Sequence, residues 1–239
     1  MIKDLNKIKK KNIIIFSDLT NLFLKNDVKK ILKDLSNIVD LLVRNNNTII
    51  IPAFNMNFPK SKKTSSNKKF ITTGYFNKYL VEKYSFKRTN KPIYNYGLIG
   101  PNTKKLFELN QKTAFGIDSI IGYLSMNNSY AIGLGVDPSK FNWVTIHVCE
   151  ELYKVPYRFY KVFKGTNIDT KKKVFEKMYV RRKRDNYQNY GFKVYKKLIK
   201  NKKIKSFKSK NVNITLLNLT DYFNEAISSL KKDIFSLVK

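Results

Sequence analysis

The sequence predicts an α/β protein, a single domain with a mixed, largely parallel central sheet flanked by helices, and three observations carry that expectation. Asn12 to Phe16 (NIIIF) and Thr48 to Ile51 (TIII) are continuous apolar runs bounded by polar residues, the pattern of strands buried on both faces. Between them, Asp27 to Asn45 places Ile31, Leu35, Ile38 and Leu42 on one helical stripe. Strand, helix and second buried strand in that order are the unit from which parallel sheets are assembled.

Taken in order, the chain opens with a short basic helix or tail, then the first strand and the polar turn Ser17 to Asn21. The second strand ends at Pro52 and leads into Pro52 to Phe58. In doubly wound folds ligands gather beyond the carboxyl ends of the strands, so these two loops are the ones to watch. Asn57 to Phe70 (NFPKSKKTSSNKKF) is polar, basic and aperiodic, and reads as a mobile loop able to act as a lid. Thr73 to Ser85 reads as a helix, and Arg88 to Gly100 as a turn at Pro92 leading into a strand. Phe115 to Leu124 offers Asp118 or Ser119 as the cap of a short helix; its free N–H groups could receive a phosphate or an oxyanion, although an ordinary cap is the commoner outcome. Tyr130 to Val136 is another buried strand whose glycines, Gly133 and Gly135, form no dinucleotide fingerprint.

From Lys171 to Lys210, seventeen Lys or Arg face only Glu176 and Asp185, which makes this the basic part of the chain. Lys177 to Arg184 reads as an edge strand, Asn189 to Lys200 as a helix and Val212 to Leu217 as a strand. Thr220 to Leu237 reads as a closing helix with Tyr222, Phe223, Ala226, Ile227, Leu230 and Ile234 on its apolar face. No linker composition interrupts the chain, so residues 1–239 are expected to form one domain with 171–239 as its basic continuation.

The 48 Lys and Arg outnumber the 17 Asp and Glu by enough to give a formal charge of +31, which calls for an anionic partner: a nucleic acid, a phosphorylated metabolite or an anionic membrane. The chain is also rich in Asn and Ile, and Lys, Asn and Ile together are what AT-rich codons favour, so codon drift stands as the alternative source of much of the excess. No RNA-binding signature, zinc spacing or heptad is present, and no metal or specific nucleic acid is expected. A single cysteine, Cys149, fits a reducing cytoplasm and reads as a small buried thiol. No apolar run approaches a spanning helix and the N-terminus lacks a signal-peptide core, so a cytoplasmic protein without membrane insertion is expected, as a monomer or homodimer.

The chemistry centres on Asn142 to Arg158 (NWVTIHVCEELYKVPYR), which holds His147, the one histidine of the chain. Histidine is the side chain whose ordinary pKa lets it take and return a proton near neutrality. In a helix starting near Ile146, Glu150 and Glu151 share the face of the imidazole, and a carboxylate there fixes its tautomer. Two alternatives stand beside this. A lone histidine is more often structural, and Trp143 to Ile146 are β-formers; in a strand His147 and Glu150 would point to opposite sides.

The order of these segments resembles the aminoglycoside 3-N-acetyltransferase-like (antibiotic N-acetyltransferase) family, over roughly residues 12–165. Ser17 and Leu19 match its opening turn, Ile49 to Asn55 its strand ending in proline, and Thr72 to Glu82 its TxxG segment. Arg88 and Pro92 fall on its RSxHPxxS motif, with Lys91 and Asn95 replacing His and Ser. Phe115, Gly116 and Ser119 match its FGxxS element, and His147 and Glu150 match its HxxE motif. The resemblance implies His147 as general base, Glu150 as its partner and acetyl-CoA, or another acyl-CoA, as acyl donor. On that reading, backbone N–H groups at Ser17, Asp18 and Leu19, or at the Ser119 helix start, are expected to stabilise the oxyanion and hold the cofactor's phosphates, and Arg88, Lys91, Asn95 and Arg158 to contact the substrate. Phe16 and Lys91 stand where the family has histidines, and Val155 to Arg158 looks like members associated with surface polysaccharides. The expected activity is N-acylation of an amino sugar. The +31 charge favours a nucleotide-linked amino sugar for glycan synthesis over an aminoglycoside, and a non-catalytic basic nucleic-acid-binding protein is the rival class.

Overall fold

A computed structural model describes residues 5–24, 27–137, 143–209 and 212–239, so Asn142, at the head of the histidine segment, lies outside the described residues. In chain order the strands are β1 (Asn12–Ser17), β2 (Thr48–Pro52), β3 (Lys63–Thr64), β4 (Lys87–Arg88), β5 (Tyr96–Ile99), β6 (Tyr130–Leu134), β7 (Arg158–Asn167), β8 (Lys173–Arg181), β9 (Ile204–Ser209) and β10 (Val212–Asn218). The helices of five residues or more are α1 (Val28–Arg44), α2 (Tyr75–Lys83), α3 (Thr103–Phe107), α4 (Ile120–Met126), α5 (Thr145–Leu152), α6 (Phe192–Lys200) and α7 (Leu219–Lys232).

Seven strands form one mixed sheet in the order β4-β5-β2-β1-β6-β10-β9. Parallel pairing is confined to its centre, where β1 runs alongside both β2 and β6. Antiparallel strands complete both sides, β5 and β4 on β2, and β10 and β9 on β6. The parallel part is therefore narrower than the apolar runs suggested, because β9 and β10 are joined by a connection too short to be a crossover and can only pair as a hairpin.

The apolar run of β1 is explained by burial on both faces. Ile13 and Ile15 pack with Leu35, Val39 and Leu42 of α1 on one side of the sheet. Ile14 and Phe16 pack with Trp143, Ile146 and the residues of α4, α5 and α7 on the other. Asp27 starts α1 by accepting hydrogen bonds from the N–H groups of Lys29 (2.8 Å) and Lys30 (3.3 Å).

Three stretches differ from the sequence expectation. The segment 57–70 is ordered: it holds a helical turn at Phe58–Ser61, β3 and a 3-10 turn at Lys68–Phe70. Phe58 is fully buried, and Asp169 accepts hydrogen bonds from Ser65 Oγ (2.6 Å), Ser66 N–H (2.6 Å) and Ser66 Oγ (2.8 Å). The polar groups that suggested a mobile loop are satisfied by a residue about a hundred positions away. Second, β7 was not anticipated; it pairs antiparallel with β8 from Arg158↔Arg181 to Thr166↔Lys173 and parallel with β3, in a separate three-stranded sheet with β8 on its edge. Third, β9 (IKSFKS) reads in sequence as more of the basic run, and only its pairing with β10 makes it a strand.

Candidate functional site

The helical reading of the histidine segment is the one adopted. Trp143 is fully buried and meets Phe16 of β1 edge-on at 5.7 Å, which anchors the start of α5 against the sheet. In the first turn of the helix, His147 Nδ1 lies 2.8 Å from Glu150 Oε2. Arg158, the first residue of β7, brings Nη2 to 2.9 Å from the same oxygen, and its guanidinium is held by Tyr179 O (3.0 Å) and Asn189 Oδ1 (3.0 Å).

These contacts decide the tautomer. Arg158 Nη2 also lies 3.1 Å from His147 Nδ1, and a guanidinium carries donors only. With a carboxylate oxygen 2.8 Å from the ring nitrogen, the consistent assignment gives Nδ1 the proton and makes Glu150 the shared acceptor of both groups. Nε2 then carries the lone pair, and no described residue bonds it. The imidazole is 14% exposed, the Glu150 carboxylate not at all.

Electrostatics support the same state. Burial, then Arg158, lower the His147 pKa from its ordinary value, and Glu150 only partly offsets them, so the ring is neutral at pH 7. Burial would raise Glu150, but the hydrogen bond from His147 and the charge and hydrogen bond of Arg158 outweigh it and hold the carboxyl below its usual range. Tyr157 lies close enough to Glu150 that, after burial, the carboxylate is the next cause raising its phenol, although no hydrogen-bond geometry joins them. Cys149 is fully buried, burial pushes its thiol far up, and its Sγ faces Phe223 O, which leaves it inert.

A cavity of about 440 Å³ opens beyond the carboxyl ends of β1 and β2, as expected of those loops. Ser17 at the end of β1 lines it with Asp18 and Leu19 just beyond, Pro52 at the end of β2 with Phe54 just beyond, Thr72 to Gly74 leading into α2 at Tyr75, and Val144 at the N-cap of α5. A run of rings joins it to the histidine: Phe54 packs on Tyr94 (4.6 Å between centroids), Tyr94 on Phe115 (4.7 Å) and Phe115 on His147 (4.9 Å). Gly74 adopts φ 92° at the N-cap of α2, a left-handed conformation that glycine permits.

The other expected site residues are more scattered. Asp18 spends its N–H on Leu134 O (2.9 Å). Ser119 is fully buried and outside the cavity lining; it caps α4 through Gly122 N–H (3.1 Å), and its own N–H donates to Gly116 O. Arg88 donates to Ser66 O, Lys91 Nζ to Gln111 O (2.8 Å) and Asn95 Nδ2 to Lys91 O (3.1 Å), three bonds within one peripheral loop system. Arg158 is brought to the histidine, where its bonds go to the carboxylate partner and not outward. Tyr94, Thr113, Phe115, Tyr157, Tyr160 and Asn189 join the site only through tertiary packing; none had a local signal beyond the FGxxS and VPYR strings.

Residues 42–231 match the family model described as aminoglycoside 3-N-acetyltransferase. Among solved structures, the YokD protein from Bacillus subtilis is similar in fold at 18% identity, with a TM-score of 0.74 and coverage of 98% of this chain and 91% of that one. Aminoglycoside acetyltransferase AAC(3)-IIb aligns with a TM-score of 0.76 at 12% identity, covering 97% and 94% of the two chains. AAC-VIa bound to sisomicin aligns with a TM-score of 0.75 at 11% identity, again covering 97% and 94%. No curated protein matches the sequence.

Proposed function

Because the chain belongs to the aminoglycoside 3-N-acetyltransferase family, whose members are CoA-dependent N-acetyltransferases, we propose that it acetylates an amino group of an amino sugar with His147 as general base. The observation that carries this reading is the 2.8 Å contact of His147 Nδ1 with Glu150 Oε2, which leaves Nε2 as a neutral, unshared base at the end of the aromatic run from the cavity.

Acetyl-CoA supplies the acetyl group as an activated thioester. The cavity suits the uncharged arm of that co-substrate: its lining includes Phe16, Phe54 and Phe76 together with Ser17 and Leu19. The Asp18 carboxylate on the same lining repels phosphates, so the charged end is assigned outside it. His147 Nε2 takes a proton from the amine as the nitrogen attacks the thioester carbonyl; the C–S bond then breaks, and the departing CoA sulfur leaves as the thiol with the proton returned by the imidazolium. Glu150, already ionised, stabilises the imidazolium that forms, and Arg158 fixes Glu150 in place. No covalent enzyme intermediate is required, and the inert Cys149 offers none.

The family and the sisomicin-bound relative favour an aminoglycoside-type acceptor. The nucleotide-linked amino sugar expected from the +31 charge, with its role in glycan synthesis, remains the second reading and rests on that charge alone. No helix among the described residues is long and apolar enough to cross a membrane. The test is thiol release from acetyl-CoA with a panel of aminoglycosides and nucleotide-linked amino sugars, run with the wild type and His147→Ala. Histidine-dependent release with an aminoglycoside is the expected result; release that persists in His147→Ala would overturn the reading.

A further inference from the structure

The three-stranded sheet has one face that the fold leaves open. Directly paired residues of an antiparallel ladder share a face, so Val162 and Lys177, Lys164 and Phe175, and Thr166 and Lys173 project together from β7 and β8. The opposite face is turned to the core: Phe163 and Val174 pack against it, Met178 is buried in it, and Glu176 accepts there from the N–H groups of Ile93 and Tyr94. On the open face Phe175 is 68% exposed and Val162 45%. As diagonal neighbours on a strand pair, these two apolar side chains form one patch and not two scattered contacts.

Lysines frame that patch without counter-ions. Glu176 is the sole acid of β3, β7 and β8, and it is buried on the other face. Among the described residues, Lys164, Lys173 and Lys177 enter no ion pair. An apolar centre ringed by uncompensated cations fits a partner that is itself apolar and anionic. A second copy of a chain with a formal charge of +31 is repelled from it. Single-stranded nucleic acid needs ring faces on which bases stack. The Tyr160 ring already carries the ammonium groups of Lys154 (4.7 Å) and Lys177 (4.4 Å), and Val162 is aliphatic. An anionic bilayer meets both demands, since its acyl boundary takes aliphatic and aromatic side chains alike while its phosphates take the lysine heads.

We propose that the open face of β7 and β8 is a peripheral docking surface for an anionic lipid bilayer, with Val162 and Phe175 entering the headgroup boundary and Lys164 and Lys173 meeting lipid phosphates. Such a contact needs no spanning helix. At its inner end the same face carries Tyr160, whose OH donates to Glu151 Oε1 of α5 (3.3 Å), so docking holds the helix of His147 beside the lipid surface. Docking of this kind is independent of whether the site acetylates an amino sugar.

The test is co-sedimentation of the full chain with vesicles of phosphatidylcholine alone, and of phosphatidylcholine with an equal part of phosphatidylglycerol, at physiological ionic strength, where distant charges are screened. Three variants are compared with the wild type. Val162→Thr with Phe175→Ser removes the apolar patch, and Lys164→Gln with Lys173→Gln removes two of its charges. Lys29→Gln with Lys33→Gln removes two charges from α1, on the far side of the seven-stranded sheet. The expected result is binding to the phosphatidylglycerol vesicles, about tenfold or more weaker in the first two variants and within about threefold of wild type in the third. Equal losses in the two lysine variants overturn the proposal and reduce vesicle binding to overall charge. Wild-type binding of equal strength to both vesicles, or to neither, overturns it as well. So does an apolar-patch variant that keeps full vesicle affinity and loses affinity for a single-stranded oligonucleotide, which assigns the face to nucleic acid. Should the double change fail to fold, Phe175→Ser alone, at an exposed side chain, lowers vesicle affinity severalfold, and an unchanged affinity counts against the proposal.

Discussion

Glu150 and Arg158 form a buried pair whose value lies in what it does to His147. With His147 as the proposed base, His147→Ala should lower kcat by about a hundredfold or more with acetyl-CoA binding retained, the usual scale for a general base. Glu150→Gln should cost less, since an amide oxygen still accepts from Nδ1. Arg158→Ala strips the counter-ion from a carboxylate with no exposure, and should destabilise the fold by roughly 3 kcal/mol in denaturant titration. It should also move the acidic limb of the kcat/KM profile to higher pH, because Arg158 is one of the causes holding the His147 pKa down. The sign follows from neutrality. With the folded pKa below the unfolded one, near 6.5, the base form persists under pH 6.5, and as pH falls below that value the unfolded chain binds the proton first and stability declines. A limb that does not move in Arg158→Ala would show that the guanidinium has no electrostatic hold on the ring.

At the scale of elements, two contacts set the site's walls. α4 passes so close to the preceding loop that a Cβ on Gly122 would sit 2.2 Å from Gly116 O, inside any allowed contact with backbone. Gly122→Ala should therefore displace the loop that carries Phe115, costing about 1–3 kcal/mol in thermal unfolding and lowering turnover more than its distance from the base suggests. Glu176 of β8 ties the second sheet to the segment that carries Tyr94, accepting from the N–H groups of Ile93 (2.7 Å) and Tyr94 (3.2 Å). Burial raises its carboxyl to about 7, against the pull of those two bonds and of Lys91. Since the folded value exceeds the unfolded value of 4.5, its contribution is present below pH 4.5 and is lost as pH rises to about 7. The slope is at most about 1.4 kcal/mol per pH unit, and Glu176→Gln should flatten it in melting curves taken across that window. An unchanged slope would place the titration elsewhere.

For the whole molecule, the +31 charge acts on encounter and not on fold. An aminoglycoside is repelled at long range, so its kcat/KM should rise from low to physiological ionic strength as the field is screened, while a nucleotide-linked sugar should show the opposite trend. A fall with salt for the aminoglycoside would show that the cleft's own field dominates. Acetyl-CoA should raise the melting temperature by mass action on the folded state, and no shift at saturating concentration would count against the cavity assignment.

The sequence by itself determined the elements whose signals are local. The runs NIIIF and TIII became strands buried on both faces, Asp27 and Ser119 became helix caps, and His147 and Glu150 met because three residues in a helix are one turn. The family, too, was legible in short motifs that survive in order, and the family model spans residues 42–231. What only the tertiary structure decided was every relation across the chain. Arg158 reaches Glu150 because β7 begins beside α5, Thr113 reaches Glu151 from 38 positions away, and Tyr94 and Phe115 complete the path to His147 by packing alone. The ordering of 57–70 by Asp169 and the making of a strand from the lysine-rich Ile204–Ser209 belong there as well. Periodicity and capping are properties of neighbours in sequence, whereas the partner of a buried charge or an unpaired strand edge is fixed by chain closure, which leaves no local mark.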